Sequence, residues 1–241
     1  MVRRHRLSTR LWHWGNAVTL LVLLMSGLMI FNAHPRLYWG EYGANPDHAW
    51  LDIGATVAGE DAFPGWATIP STYSLADARL WHLAFAWVLA LALLAYLAWS
   101  LANGHIRRDL HITRREWRLA HLWQDVRDHA ALRFAGGAAA LRYNTLQKIA
   151  YAAVLFGLLP LMIATGLAMS PGMDAGWPWF SAVWGGRQSA RSVHFIVAFA
   201  LVGFFVLHIL MVLLAGPLNE LRSIVTGWYR LPPSPSPDGP A

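Results

Sequence analysis

Four stretches of the chain are apolar for about twenty residues or more, at positions 11–31, 80–102, 149–169 and 192–215. Polar segments carrying Gly, Pro and charge separate them. A helix rises about 1.5 Å per residue, so roughly 20 apolar residues cross a ~30 Å hydrocarbon layer. The pattern predicts an all-α integral membrane protein, a four-helix bundle. The third run contains Pro160 and Gly166, which are expected to kink or thin that helix, as neighbours in a bundle tolerate. Residues 1–10, MVRRHRLSTR, form a basic arm before the first run. A basic start followed by an apolar run also opens signal peptides. Here the run is long and no small-residue cleavage site closes it, so it reads as a retained span.

The charges give an orientation. Of 19 Lys and Arg, only Arg36, Arg79, Arg187 and Arg191 fall on one side of the spans; the arm, residues 107–148, Arg222 and Arg230 fall on the other. The positive-inside rule then places both termini in the cytoplasm. The outer loop, 32–78, holds Glu41, Asp47, Asp52, Glu60, Asp61 and Asp77 together with Trp39, Trp50 and Trp66. Its length and aromatic content predict an ordered cap and a docking surface. Ser74 and Asp77 form a capping-box pattern before the second span. The inner loop contains ITRREWRLAHLWQDVRDHAAL, with a second such pattern at Thr113 and Glu116. It predicts a basic amphipathic helix lying on the cytoplasmic surface. The whole reads as one membrane domain, 1–230, followed by a disordered Pro-rich tail, 231–241.

Composition narrows the chemistry. Hydrophobic residues make up 56% of the chain and charged residues 13%, which is unlike a soluble domain. The mean hydropathy is +0.36. Cysteine is absent, which excludes disulfides, iron–sulfur clusters, c-type haem attachment and thiolate ligands. The net charge of +6 is accounted for by topology, with no nucleic acid implied.

Of the 11 histidines, four lie in apolar spans: His13, His82, His194 and His208. Ionisable groups in a span are costly and mark function. The other seven, His5, His34, His48, His105, His111, His121 and His129, read as having a solvated or surface role. His194 and His208 are fourteen residues apart, which leaves them roughly 40° apart on one helix face and about 21 Å apart along it. His13 opens the first span from the inside, and His82 opens the second from the outside. Depth therefore pairs His13 with His208 and His82 with His194. Two neutral imidazoles at one depth suit a haem iron held from both faces. Two ligands per level are too few for a closed zinc site. Arg10, Arg79 and Arg191 each precede a span histidine by three residues. They lie one turn toward water on the same face, where guanidinium groups can hold haem propionates.

These features resemble the bacterial di-haem cytochrome b subunits of the cytochrome b561 superfamily, which include those of nickel–iron hydrogenases, formate dehydrogenase and thiosulfate reductase. The resemblance rests on His13 between Trp12 and Trp14, on His82, on the His194–His208 spacing, and on Arg142-Tyr143-Asn144 followed by Gln147-Lys148. It covers roughly residues 5–216. It implies two haem b groups passing electrons between a membrane quinone and a periplasmic oxidoreductase subunit. The outer loop is most similar to members that work with molybdopterin enzymes. The quinone is expected at the cytoplasmic start of the third span, near Asn144, Gln147 and Lys148. Without a further domain the partner is expected to be a separate polypeptide. The alternatives are a membrane oxidoreductase acting alone, such as a superoxide:quinone oxidoreductase, and a transporter with proton-relaying histidines. No inverted repeat supports the latter.

Overall fold

The computed structural model describes residues 1–44, 46–54, 61–131, 137, 141 and 143–231. Arg142 and tail residues 232–241 lie outside the described residues. Four long apolar helical segments are present: α1 (Leu7–Asn32), α2 (Leu75–Ala102), the third span Thr145–Ala168, and a helix over Arg187–Ala215. All four begin four or five residues before the apolar runs that predict them, because polar residues stand in their opening turns. At α2 the Ser74 hydroxyl accepts from the Asp77 N–H (3.3 Å) and donates to its carboxylate (2.7 Å). The first contact occupies an N–H that the helix N-terminus would otherwise leave unpaired, and the second fixes the hydroxyl that accepts it.

Between the second and third spans, a short α3 (Leu119–Ala130) carries the amphipathic pattern. It starts later than expected. Thr113 and Glu116 do bond reciprocally, but they close a turn ahead of the helix. The third span is α4 (Thr145–Ala152), a π-helical turn over Ala153–Leu158, and α5 (Leu159–Ala168). Pro160 has no N–H and its ring would strike the carbonyl four residues earlier. A widened turn just ahead of it accommodates both defects. Two short helices follow, α6 (Pro171–Gly176) and α7 (Pro178–Ala182), then the long α8 (Arg187–Ala215) and α9 (Pro217–Thr226).

The chain divides into two compact units, each taking a portion of every long helix. The first comprises Met1–Trp14, Ala95–Gly157 and Gly203–Ala241. Here strand β1 (Val2–Arg3) pairs antiparallel with the C-terminal pair Trp228–Tyr229, Val2 opposite Tyr229. Arg4 Nη1 donates to both carboxylate oxygens of Glu220 at 3.0 Å, and the guanidinium lies over the Tyr229 ring, which fixes the basic arm to α9. In the same unit α3 docks on the start of α4. Asp125 accepts from the Thr145 N–H (3.2 Å), His121 Nε2 meets the Thr145 hydroxyl (3.0 Å), and Asn144 Nδ2 meets His129 Nε2 (3.0 Å). His129 is thus a half-buried docking residue, which corrects the solvated or surface role expected of it, whereas His121 docks while remaining at the surface as expected. Residues 121, 125 and 129 share one face of α3 at four-residue intervals.

The second unit comprises Gly15–Leu94 and Leu158–Val202. The loop after α1 forms a small hairpin, Arg36–Leu37 against Leu51–Asp52, with an Arg36–Asp52 ion pair at 2.8 Å across it. The hairpin packs on the start of α8. Gly40 O accepts from the Gln188 and Ser189 N–H groups (3.1 Å each), and the Gly40 N–H donates to Ser189 Oγ (2.7 Å). Gly186 makes this approach possible. It has φ +106°, and a Cβ there would lie 2.6 Å from the Glu41 backbone.

Two histidine pairs as candidate metal centres

The four span histidines come together as two pairs. In the second unit His82 (α2) and His194 (α8) face each other with ring centroids 6.2 Å apart and planes at 61°. In the first unit His13 (α1) and His208 (α8) are also 6.2 Å apart, at 54°. Metal–imidazole bonds are about 2.0 Å long and each ring centre lies roughly 1 Å behind its nitrogen, so two imidazoles on one metal have centroids about 6 Å apart. Both pairs meet that requirement. Among the described residues no cluster of three or more His, Cys, Asp or Glu forms, so neither pair extends into a closed multi-ligand site.

The His82–His194 pair is held by helices that carry no histidine of that pair. Ser26 on α1 lies 3.1 Å from His82 Nδ1, and Thr165 on α5 lies 2.9 Å from His194 Nδ1. Each hydroxyl is also 2.7 Å from the carbonyl four residues earlier, Val22 O and Leu161 O. A hydroxyl has one proton, and the carbonyl can only accept it. The oxygen therefore accepts from the imidazole, which fixes the proton on Nδ1 of each ring. Nε2 is left as the lone-pair nitrogen, the form a metal needs.

A Cβ on Gly27 would come within 3.3 Å of the His82 ring, and one on Gly166 within 3.5 Å of the His194 ring. Each of these glycines follows the hydroxyl residue. The first approach is tight and the second an ordinary contact, so the hydroxyls of Ser26 and Thr165 are the matched supports, one per histidine, and Gly27 adds clearance at His82. Ring spacing and fixed tautomers both fit a haem held by two imidazoles at this pair.

The His13–His208 pair is framed by aromatics. Trp14 meets His13 edge-on at 5.2 Å, Phe204 stacks on His208 at 6.1 Å and 15°, and Trp12 stacks on Tyr96 at 4.3 Å. His13 Nδ1 is buried with no partner among the described residues. Nearby, burial pushes His5 down to about 4, with help from Arg4, His13 and Arg10, so it is neutral at pH 7.

The remaining expected site residues fall in varied settings. Arg10 donates to Val225 O near the end of α9, and its Nε is buried without a partner among the described residues. Arg79 is exposed. Arg191 is half-buried, donates to His34 O (2.6 Å) and lies over the Phe31 ring. Asn144 and Gln147 form the capping box of α4. Lys148 donates to Glu116 (2.7 Å) and to His111 O (3.1 Å). Burial raises the Glu116 carboxyl, but the bonds from Lys148 and Thr113 outweigh this and hold it at about 2. Sequence reasoning missed Ser26, Gly27 and Thr165.

Residues 4–227 match the prokaryotic cytochrome b561 family. The chain belongs to this family. As a cytochrome b561 with four helices long and apolar enough to cross a bilayer, it is a multi-pass protein of the bacterial inner membrane that transfers electrons through b-type haem. It is similar to a putative protein-methionine-sulfoxide reductase subunit, YedZ1, of Azospira oryzae. The two are 27% identical over 208 residues, covering 85% of this chain and 87% of the relative. A probable Ni/Fe-hydrogenase B-type cytochrome subunit of Cupriavidus necator is 24% identical over 236 residues, covering 91% and 83%. The putative cytochrome YdhU of Escherichia coli K12 is 26% identical over 231 residues, covering 92% and 72%. No solved structure matches this cytochrome b561.

Proposed function

We propose that this chain holds two b-type haems, one between His82 and His194 and one between His13 and His208. It passes single electrons between a membrane quinone and a separate oxidoreductase subunit on the periplasmic side. The observation that carries the reading is the His82–His194 pair, 6.2 Å apart with both Nδ1 protons committed to Ser26 and Thr165. When bound, the haem iron supplies the one-electron redox chemistry. The chain's own residues fix the ligating nitrogens, shield the porphyrin from water and set the local charge.

The partner reading is supported by relatives named as subunits of a methionine-sulfoxide reductase and of hydrogenases. A molybdopterin enzyme is the partner class we infer. The charge bias along the chain supports cytoplasmic termini and a periplasmic hairpin. Arg10, Arg79 and Arg191 are assigned to the propionate edges. The quinone end is assigned to the start of the third span. There Lys148 uses two of its three ammonium donors on Glu116 and His111 O, which leaves one for a quinone carbonyl, with Asn144 and Gln147 beside it.

Reduced-minus-oxidised spectra and haem quantification on the purified chain test this. Two haems are expected in the wild type and one in His82→Ala. A colourless wild-type protein, or a His82→Ala variant that keeps both haems, would overturn it.

A further inference from the structure

Arg191 is a half-buried cation with a neutral partner. It donates to His34 O at 2.6 Å, and among the described residues no carboxylate pairs with it. Two more polar atoms close by are buried without a hydrogen-bond partner among the described residues, Tyr38 Oη and His34 Nε2. Tyr38 is 2% exposed, and its ring stacks on His34 with centroids 5.7 Å apart. Ser192 ties the group to α8. Its hydroxyl donates to Tyr38 O (2.6 Å) and accepts from Trp50 Nε1 (2.9 Å). The carboxylate of the adjoining hairpin, Asp52, is paired with Arg36. His34 is held below its ordinary range, by burial first and then by Arg191 and Arg36, with Asp52 opposing.

An unpartnered buried hydroxyl is destabilising, and a desolvated guanidinium with no counter-charge is more so. Gathered together, these groups form a receptor for an anion rich in acceptors. Arg191 lies one helical turn from His194 on the same face. We propose that Tyr38 Oη and His34 Nε2, together with Arg191, receive the propionate carboxylates of the haem held by His82 and His194. This rests on the ligation proposed above. It adds residues of the hairpin loop, which no sequence pattern marked, to the haem site.

The test is Tyr38→Phe in the full chain, which removes one oxygen and keeps the ring. Both haem potentials and the rate of haem transfer to apomyoglobin are measured. The measurements are repeated on protein reconstituted with haem dimethyl ester, whose propionates carry no charge. With native haem, one potential falls while the other is unchanged, and that haem is released more than about tenfold faster, as expected for loss of a charge-assisted bond. With the ester, Tyr38→Phe and wild type behave alike. Tyr38→Phe indistinguishable from wild type with native haem, or an equal effect with both haems, overturns the proposal. His82→Ala is read in parallel. If that variant keeps two haems, the ligation itself fails. If it loses one while Tyr38→Phe behaves as wild type, only the propionate assignment fails.

Discussion

Thr165 and His194 are joined by a 2.9 Å bond between two helices, with the hydroxyl proton already committed to Leu161 O. Ser26 repeats the arrangement at His82. Partners behind a metal ligand typically change metal affinity 10–100-fold. Ser26→Ala and Thr165→Val are therefore expected each to weaken retention of the same haem by about that factor and to leave the other haem intact. Haem content after graded detergent washing measures this. A valine at 165 keeps the volume, so a cavity would not explain the loss.

His208→Ala should remove one haem and leave the His82–His194 haem in place. Haem quantification should fall from two per chain to one, with a single potential left in a redox titration. Loss of both haems would mean that the two centres do not load independently.

The three arginines differ in burial, and their effects should follow it. Removing a positive charge near a propionate disfavours reduction, by on the order of 1 kcal/mol at the effective dielectric near a protein surface. Arg191→Ala should lower one haem potential clearly, because Arg191 is half-buried against Phe31 and His34. Arg79→Ala, at an exposed site, should lower it less because water and salt screen the charge. Equal shifts in potentiometric titrations would contradict this ordering.

Lys148 and Glu116 separate quinone chemistry from anchoring. Both Lys148→Gln and Glu116→Gln remove the 2.7 Å ion pair. Only the first removes the ammonium. Haem reduction by a quinol analogue is expected to slow about tenfold in Lys148→Gln, the low end for one lost donor to a charged group. It should change little in Glu116→Gln. Equal slowing in stopped-flow traces would mean that the pair acts only as an anchor.

His5 gives the protein a dependence on pH. Its folded value of about 4 lies below the ordinary 6.5, so the unfolded chain takes up this proton first as pH falls. Stability should decline from about pH 6.5 down to about pH 4 and level off below. His5→Gln is expected to flatten that slope, with melting temperatures differing from wild type by on the order of a few degrees between pH 7 and 4.5.

The long helices were legible from hydropathy, and matching histidines by depth along the spans selects the same pairs that face each other at 6.2 Å. The supports behind them were not. A Ser or Thr in a span ordinarily bonds back to its own helix, as Ser26 and Thr165 do. Nothing local reveals that the same oxygen also accepts from a ring on another helix. A weak signal existed in the hydroxyl-then-glycine dipeptides at 26–27 and 165–166. Gly27 shows why the dipeptide matters at His82, where a Cβ would come within 3.3 Å of the ring. His5, His34 and His129 are half-buried although loop histidines default to solvent. For His129 the four-residue spacing from Asp125 was the available clue. Tyr38 gave no signal, since its burial depends on a hairpin folding over it.

Gly40 O occupies two of the opening amides of α8, and Gly186 leaves no slack between the two backbones. The helix bearing His194 is in this way pinned end-on by a loop. It cannot slide along its own axis without tearing two hydrogen bonds. Residues 38–41 therefore set how far along its axis α8 stands, and with it the depth at which His194 is presented about two turns further on.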